Sequence, residues 1–278
     1  MPEELRKDMI IESRLREHLN HYLKTYPNDW IGIFLQGSQN YGLDYETSDI
    51  DTKIIVLPSL EDIALNKQPI STTLVMPNDE HVDVKDIRLM FDCFKKQNIN
   101  FLEILFTKWN IVNPKYDEQM SDVFIRREEI AHYSNYAALH CMLGMVNQKR
   151  SMLMKPHPSA AEVVKKYGYD GKQLHHMERI LEFFYRYTNG VPYEECLISQ
   201  NRDYLISLKK QELPLHDAVR RADEIVDVMT DAVEAYKVVH DRYVNHAVEE
   251  LLNKTLVEVM KCAIESEVKD GLDERYEP

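Results

Sequence analysis

Two aspartates at alternate positions, Asp49 and Asp51, lead into the apolar segment IDTKIIVL (50–57). On a strand, alternation puts both on one face, roughly 6–7 Å apart. Like charges so placed repel and resist burial, and a divalent cation would change that. A third carboxylate, Asp83, interrupts HVDVKDI (81–87) between Val82 and Val84, with Asp86 three residues on as its alternative. If the two segments pair as strands, three carboxylates converge. Oxygen-only ligands with open positions suit Mg2+ or Mn2+, whose octahedra are commonly completed by substrate phosphates. The chemistry implied is that of nucleotides.

Gly37 and Ser38 follow the strand-like WIGIFLQ (30–36). A glycine there permits close backbone approach to a phosphate, and the Ser38 amide and hydroxyl are donors for it. Further along, Lys172, His176 and Arg179 recur at i, i+4 and i+7, one face of one helix. That face either binds phosphates or an acceptor strand, or is a solvated surface paired with Glu178 and Glu182. A lone GS turn or a lone D-x-D is common; a strand, GS, D-x-D and a later isolated carboxylate in that order is not.

The ordered set resembles the DNA polymerase beta nucleotidyltransferase superfamily. Within it, QGSQNYGLDYETSDIDTK (36–53), NINFLEILFT (98–107) and YGYDGKQLHHMERILEF (167–183) are similar to a branch of predicted bacterial and phage nucleotidyltransferases that includes partners of RNA-repair ligases. The resemblance implies Asp49, Asp51 and Asp83 as catalytic metal ligands. It implies Gly37, Ser38, Tyr41, Lys172, His176 and Arg179 as nucleotide contacts, with Tyr41 stacking or packing and Asn40 shaping the loop. Arg202 is either a further phosphate contact or a surface arginine, and Asn98 and Glu103 are expected to cap and brace helices. The expected reaction moves NMP from an NTP to an acceptor hydroxyl and releases pyrophosphate. An RNA 3' end such as tRNA is the first acceptor considered; a protein, a small molecule or a non-catalytic nucleotide sensor are the alternatives. Arg150, Lys155, Lys165, Lys166 and Lys172 would favour RNA if they lined one cleft.

The elements that must position these residues are legible from periodicity. An amphipathic helix is expected over the first 25 residues, strands at 30–36, 50–57, 72–76 and 81–87, and a short helix after Ser59. Asn100 is a candidate cap for a helix over NFLEILFTK, followed by a brief extended exit at 111–114. Beyond that the pattern is helical. The fold class expected is α+β, with a small sheet-containing unit over 1–115 and a helical domain over 116–278; the resemblance implies that the first is a polymerase-beta-like mixed sheet with flanking helices. The net charge of −13 argues against non-specific coating of nucleic acid, and four scattered cysteines read as reduced thiols. With no long apolar run and no signal-peptide pattern, a cytoplasmic location is expected. Arg127 and His132 have a spacing found in some helical ribonucleases, though five residues place them about 140° apart on a helix.

Overall fold

The computed structural model describes residues 3–273 apart from 27, 46, 47 and 159, with side chains from 4 to 269. Its sheet half contains α1 (Glu3–Thr25), β1 (Trp30–Gln36), β2 (Asp51–Val56), α2 (Leu60–Ala64), β3 (Ser71–Val75), β4 (His81–Asp86), α3 (Ile87–Lys95), α4 (Ile99–Leu102) and β5 (Asn110–Val112). The helical half follows with α5 (Asp117–Ile125), α6 (Arg127–Ala131), α7 (Asn135–Met152), α8 (Ala161–Tyr167), α9 (Gly171–Thr188), α10 (Tyr193–Leu197), α11 (Arg202–Lys209), α12 (Leu215–Val239) and α13 (His246–Asp273). This is an α+β chain built on one mixed five-stranded sheet.

The strand order is β3-β4-β2-β1-β5. β2 and β4 run parallel with Lys53 opposite Asp83, and the remaining neighbours are antiparallel. Alternation then sorts the side chains. Ile33, Leu35, Ile50, Ile54, Val56, Val82 and Val84 pack against Ile11, Leu15, Leu19 and Tyr22 of α1. Phe34, Ile55 and Leu57 join the opposite, larger core, which continues across residue 115 to Leu139, Met177, Phe183, Ile225 and Val259. Each such side chain contributes roughly 1.5–3 kcal/mol on burial, so sheet and helices stabilise one another.

Local signals set several boundaries. Ser59 caps α2 in a reciprocal box with Asp62, at 3.0 and 3.1 Å. The hairpin between β3 and β4 closes with the Met76 amide donating to the Glu80 carbonyl at 2.8 Å. Asn98, rather than Asn100, caps α4: its side chain accepts from the Asn100 amide at 3.0 Å. Helical geometry therefore begins earlier than the apolar pattern suggests, and NFLEILFTK yields one helical turn and a 3-10 turn, Glu103–Leu105. Among the described residues, no helix is long and apolar enough to cross a membrane.

Candidate functional site

The site begins where β1 ends. Gly37 adopts φ 87° and ψ −150°, a conformation open essentially to glycine alone, and turns the chain into a 3-10 turn, Ser38–Tyr41. The turn is held from below by Glu103, which is 3% exposed. Its carboxylate accepts from the Gly37 amide at 3.3 Å and from Asn40 Nδ2 at 3.5 Å, and it hydrogen-bonds the Tyr41 hydroxyl. Asn40 also donates to the Leu35 carbonyl and accepts from Thr107 Oγ1, at 2.9 and 2.8 Å, so the loop is shaped from both sides. Burial raises the Glu103 pKa; Lys53, Tyr41 and Arg179 oppose the rise.

Lys53 is the unexpected member of the carboxylate face. It points to the same side as Asp51, is 2% exposed, donates from Nζ to the Asn100 carbonyl at 2.8 Å and lies over the Phe101 ring. Desolvation lowers its pKa against the pull of Glu103 and Asp83.

Asp49 and Asp51 both line a cavity of about 670 Å³. Asp49 is exposed, while Asp51 accepts from the His81 amide at 3.0 Å. Asp83 stands one strand over on the same sheet face, outside the cavity lining, where it accepts from Thr73 Oγ1 at 2.7 Å and Gln36 Nε2 at 3.4 Å. Asp86 has opposite parity and is fully buried. It caps α3 and receives two hydrogen bonds from the Arg88 guanidinium, at 3.0 and 2.7 Å, which commits its oxygens to structure. No group of three or more His, Cys, Asp or Glu is assembled as a metal cluster among the described residues.

The opposite wall comes from the helical half. Lys172, His176 and Arg179 of α9 face the cavity together, joined by Lys149 of α7 and Lys209 of α11. The Asp170 side chain caps α9, accepting from the Lys172 amide at 3.0 Å and Gln173 Nε2 at 2.8 Å. Arg179 lies 3.9 Å from the Tyr41 ring centroid, so Tyr41 lines the cavity with a ring face already covered. Its role here is to seat Arg179 over the loop. His175 also lines the cavity, but its Nδ1–H donates to the Leu205 carbonyl at 2.8 Å and desolvation pulls its pKa to about 4.

Other candidates lie elsewhere. Arg202 pins the chain after the turn by donating to the Gly42 and Asp44 carbonyls at 3.0 and 2.7 Å. Of the residues considered for a basic cleft, only Lys172 lines the cavity; Arg150 pairs with Asp223 at 2.6 Å. Arg127 pairs with Glu194, and His132 stacks on Tyr187 at 4.6 Å. Lys149 and Lys209 were missed from sequence because each stands beside another cation, Arg150 and Lys210, and no spacing marks which of the two faces the cavity. No family model and no curated protein matches the chain.

Proposed function

We propose that this chain is a metal-dependent nucleotidyltransferase that moves NMP from an NTP to an acceptor hydroxyl and releases pyrophosphate. One observation carries the reading: a single cavity has Asp49, Asp51 and the Gly37–Ser38 turn on one wall and Lys149, Lys172, Arg179 and Lys209 on the other. Hard oxygen donors facing a cationic wall match a metal–triphosphate pair.

The donor set fits Mg2+ or Mn2+. Two ions are expected: Asp49 and Asp51 would hold one, and the same pair with Asp83, on the same sheet face though outside the cavity lining, would hold the other. Such an ion, when bound, supplies charge neutralisation and polarises the phosphoryl oxygens. The protein's own groups do the rest. Ser38 donates to phosphate oxygens; Lys172 and Arg179 offset the charge that develops on the leaving pyrophosphate. Tyr41 keeps the Arg179 fork in place, and Asp83, on the same sheet face as Asp51 although outside the cavity lining, is the expected acceptor of the hydroxyl proton.

An RNA 3' end such as tRNA is one acceptor class. A small hydroxyl-bearing acceptor is the second reading, favoured by the dispersal of Arg150, Lys155, Lys165 and Lys166 outside a cavity whose volume lies in the small-molecule range. The test is incubation with each of four α-labelled NTPs and Mg2+, with tRNA, with small hydroxyl compounds, or alone, comparing wild type with Asp49→Ala/Asp51→Ala. Label transferred by wild type and lost in the variant is the expected result. NTP binding without transfer to any acceptor would refute the enzymatic reading and favour a sensor.

A further inference from the structure

His176 faces the cavity half-buried, and among the described residues neither ring nitrogen has a hydrogen-bond partner. Its surroundings are mostly cationic. Its own helix contributes Lys172, Arg179 and the His175 ring, whose centroid is 5.3 Å away; α7 contributes Lys149, and α11 contributes Lys209. Between α7 and α9 lie His157 and Asp170, whose closest ionic atoms are 3.5 Å apart. Across the cavity are Tyr41, Asp49 and Asp51.

Among the described residues Asp170 is the one carboxylate on the helical wall, and its oxygens are already engaged by the Lys172 amide and Gln173. The cations therefore crowd one another. Desolvation, then Arg179, His175, Lys149 and Lys172, hold the His176 pKa well below that of an ordinary imidazole. Burial, Lys172 and Arg179 likewise push the Lys149 ammonium down. Arg179 Nε is buried without a hydrogen-bond partner. A wall built this way is complementary to a polyanion. A unit negative charge arriving about 4 Å from the ring would raise its proton affinity roughly a thousandfold at an effective interior dielectric.

We propose that a polyphosphate entering this cavity takes up one proton from solvent at His176, and that the resulting imidazolium donates a hydrogen bond to a phosphate oxygen. No covalent bond changes; the proton returns to solvent when the ligand leaves. The ligand class rests on the nucleotidyl-transfer reading, while the coupling rests on the geometry of the helical wall. Because the occupied state holds more protons than the free one, affinity strengthens as pH falls, by up to tenfold per pH unit.

The experiment is titration calorimetry of the full chain with inorganic tripolyphosphate, free of metal, from pH 6 to 8, in paired buffers of different protonation enthalpy. Wild type should take up more protons per site than His176→Gln or His176→Asn, the difference growing toward one as pH falls, and its affinity should fall more steeply with rising pH. Melting curves establish that both variants are folded, and Lys149→Met should bind more weakly yet keep the uptake. Equal uptake in wild type and the His176 variants, or uptake lost in Lys149→Met and kept in His176→Gln, would overturn the proposal. Failure of wild type to bind tripolyphosphate at all would overturn the anion site as well. Proton-linked binding without any NMP transfer in the labelling assay would refute the activity and leave the coupling standing.

Discussion

Replacing Gly37 with alanine should deform the turn at the end of β1 without any steric collision. A Cβ added there meets nothing within 4 Å, so the whole effect comes from backbone conformation. At φ 87° and ψ −150° a residue other than glycine is strained by about 1–3 kcal/mol. The turn has two responses. Keeping its shape stores the strain, which then appears as lost stability. Rotating out relieves it but gives up the Gly37 amide hydrogen bond to Glu103 at 3.3 Å, about 1 kcal/mol, and moves the Ser38 donors away from the cavity. In the second case 1–3 kcal/mol appears as a roughly 5- to 150-fold weaker triphosphate affinity. Urea unfolding and calorimetric titration with ATP separate the two. Gly144→Ala is the control: Gly144 is exposed within α7 with open space at its Cβ, and the change should stabilise by about 0.5–1 kcal/mol. Gly37→Ala with both stability and affinity unchanged would refute the reasoning.

Asp83 and Asp86 should separate cleanly in a paired test by unfolding and labelled transfer. Asp86→Ala removes a fully buried carboxylate from Arg88 and the α3 cap and should cost about 3–5 kcal/mol, whereas Asp83→Asn should cost less than about 1 kcal/mol and abolish most transfer; equal destabilisation would count against the assignment. Acid should also weaken the fold through His175. Its folded pKa of about 4 lies below the ordinary 6.5, so its contribution is present above pH 6.5 and is lost as pH falls toward 4, by up to about 3 kcal/mol; unfolding free energies of wild type and His175→Gln across that window should differ in slope.

Period and punctuation carried much of the local structure into view. Alternation at Asp51, Ile54 and Val56 sorted one strand into a chemical face and an apolar face, although Asp49 falls in the irregular segment before that strand, and Ser59 followed by Asp62 marked a helix start, because these are short-range patterns the backbone enforces by itself. The helical triplet Lys172, His176 and Arg179 was visible for the same reason. Finer decisions needed the packed chain. Asn98 outcompeted Asn100 as the cap of α4, and Asp86 was separated from Asp83 by Arg88, a partner no periodicity singles out. The assembly of the cavity's far wall was also invisible in one dimension. Lys149, Lys172 and Lys209 come from three different helices, and only the way α7, α9 and α11 pack decides that they share a cavity while Arg150, one residue from Lys149, turns away to Asp223. What the sequence by itself determined was which side chains share a face of one element; which faces meet was decided by tertiary packing, since burial couples residues far apart in the chain.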